Sequence, residues 1–443
     1  MTTDLRRVLA DLAEQSRPLN SQDHLWRRGR RLRRRRRFTA TLGGLLALLA
    51  LAALPIAWRA TPGPVQAADG RTAVLPSSFG LAWSWQQFAE RSPNGPAMLT
   101  FVEEQRPAVE ILPEPPATLI GQDGSYRTTW RIGGRLSPDG RLMAVQKSII
   151  DLTSGRTVTI NEHEYSTVRV LDWSPQGTEV LVVVDPYPVE GQPDAVRVVV
   201  VDAASGRGRT LLPAGVDPLA TDSEGMFSPD GSKIALVLRR SAGPQQVTIV
   251  DAADGTVRAT MPLTDRQRLA GWTPDGTNLV LVAAEVCDWF TCTRNLPSRQ
   301  HVLDARARQR WHLQFADPAT RDVVDEPRTG RPGWPDRLVG WYGRDSVWIV
   351  DDHEIDAIRP GEPARRLSVA DGRVQQLDVA SDLVKQGRFG GPAIHAPVWP
   401  PNTEGYWLLG ISTVVVAAAL LLVVLLVRRR RRPLAAAKPE SSG

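Results

Sequence analysis

The chain has 443 residues, of which 42% are hydrophobic, and a formal net charge of +6 at pH 7. The positive charge lies at the two ends: residues 1–38 carry +8 and residues 428–443 carry +5, which leaves −7 for residues 39–427. A phosphate-neutralising patch on the large middle part is therefore not supported, and no nucleic-acid partner is expected.

The first segment is a basic arm, residues 1–37, followed by the uncharged apolar run Phe38–Trp58. At about 1.5 Å per residue this run is long enough to cross a hydrocarbon core of roughly 30 Å. The arginine block Arg27–Arg37 favours a cytoplasmic arm beside a transmembrane helix over 38–58. A cleavable signal peptide ending near Val65-Gln66-Ala67 is the alternative, but the apolar run is longer than such peptides have.

The middle segment, residues 59–405, contains a repeat. Four copies of a Ser/Thr-Pro-x-Gly turn follow an aromatic residue or Leu and precede an apolar strand, with a weaker copy at 92–95 and a degenerate one at 340–348. The four begin at Ser137, Ser174, Ser228 and Thr273. Their spacing, near 45 residues, is typical of a four-stranded propeller blade. Proline presets φ for the turn, and glycine takes the position with φ > 0.

A second turn recurs between β-rich runs, at Asp151–Gly155, Asp202–Gly206 and Asp251–Gly255, and this pattern predicts the outer hairpin of a blade. With these turns the chain resembles the TolB-type, WD-repeat-like β-propellers over roughly residues 80–380. The resemblance implies a binding scaffold and no particular reaction. The repeats predict six blades, with Leu367–Val379 and Leu81–Phe88 available to close the ring or add a seventh. Closure is expected to bring the two linkers to the membrane side by side.

The second apolar run, Tyr406–Val427, precedes Arg428–Arg432 and predicts another transmembrane helix with a cytoplasmic basic tail, residues 428–443. The complete prediction is an all-β, six- to seven-bladed β-propeller between two transmembrane α-helices. The protein is then a multi-pass protein of the cell membrane, with both termini cytoplasmic and the propeller extracytoplasmic.

No catalytic, cofactor-binding or metal-binding set emerges from the six histidines, and no nucleophile or phosphate-loop motif occurs. The densest acidic group, Asp351–Glu354 with Asp356, fits an ordinary edge hairpin better than a cation site. The two cysteines, Cys287 and Cys292, form an isolated pair in the exported segment, and we predict a disulfide between them.

These observations favour a non-catalytic binding or interaction module with a protein or cell-envelope ligand. The long connections between second and third strands lie on one side of the disc, and variable loops on a rigid scaffold usually carry recognition. Their aromatic and cationic residues are the candidate partner-binding set: Tyr187, Trp289, Phe290 and Arg294. One alternative is a transmembrane regulator, with an anti-sigma-like layout, that signals through the arm. Another is an exported propeller enzyme.

Overall fold

Six sheets make up most of the computed structural model. Residues 68–405 form one compact unit, and the helical residues 419–426 belong to another. The structure describes residues 73–82, 86–93, 95–103, 117–131, 133–160, 166–186, 196–212, 224–237, 245–286, 299–326, 332–397 and 419–426.

Four of the sheets are blades formed by consecutive strands that pair antiparallel from the inner to the outer edge. Blade 2 has β6 (Arg135–Leu136), β7 (Leu142–Val145), β8 (Ser148–Asp151) and β9 (Thr157–Thr159). Blade 3 has β10 (Ser166–Trp173), β11 (Glu179–Pro186), β12 (Arg197–Asp202) and β13 (Gly208–Leu212). Blade 4 has β14 (Glu224–Phe227), β15 (Lys233–Val237), β16 (Gln246–Asp251) and β17 (Val257–Pro262). Blade 5 has β18 (Gln267–Trp272), β19 (Leu279–Ala284), β20 (Trp311–Ala316) and β21 (Val323–Asp325), with helix α1 (Arg299–Arg308) between β19 and β20.

The other two sheets close the ring, because each combines segments from both ends of the propeller. Blade 1 has β3 (Ala97–Glu103), β4 (Ala117–Gly121) and β5 (Tyr126–Thr129), and its inner strand is β26 (Val374–Val379). Blade 6 has β22 (Pro335–Tyr342), β23 (Asp345–Val350), β24 (Glu354–Ile358) and β25 (Arg365–Asp371), with β2 (Ser78–Gly80) added at its outer edge. The propeller is therefore six-bladed. Leu367–Val379 supplies the closing strand, and no seventh blade forms in the described residues.

The two ends of the propeller pair with each other in a parallel strap. Strand β1 (Leu75–Pro76) pairs with β27 (Phe389–Gly391), which follows the short helix α2 (Ser381–Lys385). Further along, Gly80 N donates to Ile394 O and Ile394 N donates to Ser78 O. We call residues 73–80 and 388–397 the strap.

The two linkers lie outside the described residues, so their expected position side by side stays a prediction. The two segments of the strap run parallel. At one end Leu75 N donates to Arg388 O, and at the other end Gln86 Nε2 donates to Pro397 O. The described residues nearest the two linkers, Ala73 and Pro397, are thus at opposite ends of the strap.

The recurring turns have the geometry that their residues predict. In the four inner turns the glycine N–H donates to the carbonyl oxygen of the Ser or Thr three residues earlier, at 2.8–2.9 Å, and the glycine φ lies between 69° and 78°. The outer turns at Asp151, Asp202 and Asp251 each close with a hydrogen bond from the glycine N–H to the aspartate backbone carbonyl, at 2.7–2.9 Å.

The degenerate copy at 340–348 is the β22–β23 hairpin. The weak copy at 92–95 joins no hairpin: it precedes β3, whose inner neighbour is β26.

The core consists of five apolar clusters in the clefts between adjacent blades. Alternate residues of β11 face different clefts: Val180 and Val182 pack towards blade 2, while Leu181 and Val183 pack towards blade 4. A second strand that is covered on both faces is mostly apolar, which explains the buried apolar run of β19 and the run Val347–Val350 of β23.

No helix within the described part of the chain is both long and apolar enough to cross a membrane. The first predicted span, 38–58, lies outside the described residues. Of the second, 406–427, only residues 419–426 are described; they are helical, and Leu421, Leu422 and Val423 are each more than half exposed. The basic arm, residues 1–37, and the basic tail, residues 428–443, also lie outside the described residues.

Candidate functional site

The inner strands surround a central channel and are bonded to each other at every blade junction. An indole N–H at the end of an inner strand donates to the preceding blade at three junctions: Trp173 to Arg135 O (2.9 Å), Trp272 to Met226 O (3.3 Å) and Trp341 to Trp272 O (3.0 Å). These are junctions 2–3, 4–5 and 5–6. The tryptophan that precedes an inner turn therefore has a structural role in joining blades.

Aspartate carboxylates join the blades at the other three junctions. Asp378 Oδ2 accepts the Leu136 N–H at 2.7 Å and joins blade 1 to blade 2. Asp172 Oδ2 accepts the Phe227 N–H at 3.0 Å and joins blade 3 to blade 4. Arg337 of blade 6 closes the ring by pairing with Asp378, and its other terminal nitrogen lies 3.4 Å from Asp172 Oδ1. The ring of inner strands is thus continuously bonded.

Burial and ion pairing act in opposite directions on the channel groups. Burial raises the pKa of Asp172, while Arg337 and the Phe227 N–H oppose that rise. Burial and the nearby Arg337 guanidinium lower the pKa of Arg135 to about 10, so Arg135 stays charged at neutral pH. These carboxylates accept backbone N–H groups and face arginines, which is the arrangement of a structural joint between blades.

A second charged cluster lies between blades 5 and 6, where the inner strand of blade 6 begins. Arg306 of α1 pairs with Asp336 (3.3 Å) and Asp352 (3.2 Å), and its guanidinium lies 5.1 Å from the Trp334 ring centroid. Burial and the neighbouring Asp352 raise the pKa of Asp336 well above its usual range, and Arg306 opposes this. The cluster fixes α1, which is part of the longest connection of blade 5, against blade 6.

The residues that the sequence singled out for partner binding lie outside the described residues: Tyr187, Trp289, Phe290 and Arg294. Cys287 and Cys292 do too, so their disulfide stays a prediction. The base of the blade 5 connection is described: Glu285 N donates to Arg310 O at 2.9 Å, and Arg306 holds the helix that follows residues 287–298.

The acidic group at 351–356 forms the hairpin that the sequence favoured, because β23 and β24 pair directly across it. Asp351 and Asp352 have φ values of 51° and 60°, which the tight turn between β23 and β24 requires. No group of three or more His, Cys, Asp or Glu residues in the described part of the chain could hold a metal ion.

Comparison with known proteins gives matches among solved structures alone. No protein-family model and no curated protein matches the chain. It is similar to TolB from Acinetobacter baumannii, with 16% identity over 64% of this chain and a TM-score of 0.37; it spans 66% of that protein, just under two thirds. An oligogalacturonate lyase from Vibrio parahaemolyticus has 12% identity over 69% of this chain and 80% of its own, with a TM-score of 0.40. The Cps50 (Swd1) β-propeller domain of Myceliophteria thermophila has 14% identity over 53% and 69%, with a TM-score of 0.33. The sheet order and the closure of the ring establish the propeller architecture of this chain.

Sequence reasoning missed the channel residues. Arg135, Asp172 and Asp378 sit at equivalent positions at the ends of three neighbouring inner strands, although their partners are as much as 242 residues away in sequence. The available signal was that Arg135 and Asp172 each stand two residues before the serine of an inner turn.

Proposed function

We propose that this chain is a membrane-anchored, extracytoplasmic β-propeller that acts as a non-catalytic binding module for a protein or cell-envelope ligand. The observation that carries the proposal is the difference between the two faces of the propeller. The turn face, with the inner and outer turns, is short and stereotyped. The loop face, with the second-to-third strand connections, includes four long segments: 104–116, 187–196, 238–245 and 285–310.

The rigid scaffold supports a binding role. Inner strands bonded at all six junctions hold the blades in fixed positions, and a fixed scaffold presents variable loops at little cost in ordering. The charged channel residues Asp172, Asp378 and Arg337 are occupied with that bonding. This favours a structural use of the channel acids over general acid–base chemistry.

Membrane anchoring is supported by the sequence and by one described segment. Both apolar runs are flanked on one side by arginines, the pattern that keeps the basic side in the cytoplasm. Within the second run, residues 419–426 are helical and present half-exposed leucine and valine side chains. An aliphatic helix surface of this kind suits a lipid environment.

The partner site is proposed on the loop face, with Trp289 and Phe290 as anchors, Tyr187 and Arg294 beside them, and a Cys287–Cys292 disulfide closing the loop. The partner is first identified by in-cell crosslinking to the full chain. Replacing Trp289 and Phe290 together with Ala should then weaken capture of that partner tenfold or more. That factor corresponds to about 1.4 kcal/mol. If the two aromatics contact the partner as proposed, the melting temperature should change little, because their removal then leaves the blade core intact.

The matched control is Trp130→Ala, because Trp130 is an aromatic residue that is 46% exposed at the end of β5 in blade 1, outside the connections of blades 3 and 5 that contain the four proposed contact residues. This variant should retain full capture of the same crosslinked partner. Undiminished capture by the double variant, or a melting temperature that falls in step with capture, would show that the two aromatics belong to the core.

A further inference from the structure

Asp-Gly sequences occur at six places in the described part of the chain, and five of them share one arrangement. In these five, the glycine N–H donates to a backbone carbonyl at 2.8–2.9 Å. Each of their aspartate side chains also accepts the N–H of the residue two positions on, at 2.9–3.1 Å. We call these five the held sites: Asp123-Gly124, Asp139-Gly140, Asp230-Gly231, Asp254-Gly255 and Asp275-Gly276.

The sixth site, Asp371-Gly372, has neither bond to any of the described residues. The Gly372 N–H donates no hydrogen bond to them, and the Asp371 carboxylate accepts none from them. The nearest charged partner of Asp371 in that part of the chain is His395, whose Nδ1 lies 3.8 Å from Asp371 Oδ2. The Asp371 side chain is 45% exposed and Gly372 is exposed as well, so water reaches both groups.

This site lies in the connection that closes the ring. Asp371 ends β25 of blade 6, and Val374 begins β26, the inner strand of blade 1. Asp371 also pairs with Gly80 of β2, so the site lies directly beside the strap. A change in the main chain at Asp371-Gly372 therefore affects both the closing connection and one edge of the strap.

We propose that Asp371-Gly372 is a modification site, at which the folded protein converts aspartate to isoaspartate through a cyclic imide. The Gly372 nitrogen forms a bond to the side-chain carbonyl carbon of the protonated Asp371 carboxyl. The bond from that carbon to its hydroxyl breaks, and the hydroxyl leaves with the amide proton as water. A water molecule then opens the imide at either carbonyl, so the mass is restored and no other reagent is consumed. Opening at the backbone carbonyl leaves the main chain running through the aspartate Cβ, one carbon longer than before.

The hydrogen bonds of the held sites oppose the same reaction there. Glycine has no Cβ to hinder approach to its nitrogen, so every Asp-Gly pair is sterically open to ring closure. At a held site, however, the glycine N–H and the carboxylate must both leave their partners before the nitrogen reaches the carbon, and each release has a free-energy cost. Asp371-Gly372 has no such bonds to release. The proposal involves no loop-face residue and does not depend on the proposed partner site.

The test is peptide mapping of the purified full chain in detergent after incubation at pH 6 and 37 °C. Mass spectrometry with electron-transfer fragmentation distinguishes isoaspartyl from aspartyl peptides, and the imide appears as the loss of one water. Isoaspartate should form at Asp371 at least about tenfold faster than at each held site, because two hydrogen bonds are released there first. Asp371→Glu should abolish the product at this position, because the corresponding imide has a six-membered ring that closes more slowly, and should leave the rates at the held sites unchanged.

The same chain unfolded in guanidinium chloride is the matched control, because unfolding removes the hydrogen bonds and keeps the neighbouring sequence. In the unfolded chain all six sites should react at similar rates. Absence of isoaspartate at Asp371 in the folded chain, or an equal rate at any held site, would overturn the proposal. An excess at Asp371 that persisted unchanged in the unfolded chain would also overturn it, because local sequence and not the fold would then set the rate.

Discussion

The inner turns hold their own geometry through side chains that are adjacent in sequence. In three of the four, a hydroxyl donates to the aspartate two residues on: Ser137 to Asp139 (2.7 Å), Ser228 to Asp230 (2.5 Å) and Thr273 to Asp275 (2.6 Å). The fourth turn has Gln176 at the aspartate position. Asp230 also accepts the N–H and hydroxyl of Ser232, and the hydroxyls of Ser228 and Ser232 lower its pKa to about 2.

Replacing Asp230 with Ala should lower the free energy of unfolding by about 1 kcal/mol, because the hydroxyl and amide donors of the turn lose their acceptor. The folded-state pKa is depressed, so the carboxylate stabilises the fold above about pH 4, and this contribution is lost as the pH falls towards about 2. Urea unfolding of the full chain at pH 7 and at pH 3 measures both effects.

Gln176→Ala is the matched control, because it truncates the exposed residue at the same turn position, where no carboxylate exists. Its effect should be small and independent of pH. A gap between wild type and Asp230→Ala that stayed constant down to pH 2 would show that the carboxylate charge contributes nothing to the turn.

Residue-scale prediction from sequence succeeded where the chemistry is local. Ser228, Asp230 and Gly231 determine one turn within four positions, so the recurrence of those residue types was sufficient. It failed at Arg135 and Asp378, because their neighbours in space depend on how the ring closes. A charge before a turn cannot be paired with its partner until the blade order is known.

At the scale of elements, the strap is the feature with the clearest consequence. Strand β2 lies between β25 and the segment around Ile394, so the N-terminal part of the strap is bonded on both sides. Tyr126 adds a hydroxyl that lies 3.2 Å from Gly80 O and 3.4 Å from Ile394 O. Opening either half of the strap therefore exposes backbone groups of the other half.

Gly391→Val should open the strap, because a Cβ at this position would lie 3.1 Å from Val74 O and 3.2 Å from Leu75 O. We expect a loss of about 1–3 kcal/mol, as is usual when atoms are forced into a packed site. Hydrogen exchange at the amides of Leu75, Ser77 and Gly80 should become faster in the variant.

Arg388→Val is the control for that change, since it introduces the same side chain in the strap while the backbone bond from Leu75 to Arg388 O is kept. Its stability should stay within about 0.5 kcal/mol of wild type. Unchanged amide exchange at Leu75 in Gly391→Val would contradict the tight packing of the two strap segments.

The element scale also shows why closure was harder to predict than the blades. Blades 2 to 5 are consecutive hairpins, and each turn has a sequence signature. Strand β26 joins blade 1 without any turn between it and β3, so no local residue pattern marks the pairing. The weak copy at 92–95 was a turn sequence without a hairpin, because the inner strand it would need comes from the other end of the chain.

At the scale of the whole molecule, we propose a propeller that is exported and tied to the membrane by two spans. The strap places Ala73 and Pro397, the described residues nearest to 59–72 and 398–405, at opposite ends of a parallel pair.

The topology of the chain is the most direct test of this account, and single introduced cysteines can measure it. In intact spheroplasts, a membrane-impermeant thiol reagent should label Ser154→Cys, which is an exposed position in an outer turn of blade 2. Thr3→Cys and Ser441→Cys should react only after lysis, with the unsubstituted chain as the background for Cys287 and Cys292. Labelling of either terminal variant in intact spheroplasts, protection of the Ser154→Cys thiol from the reagent, or a mature chain that begins near Ala68 would contradict a propeller held outside the membrane by two retained spans.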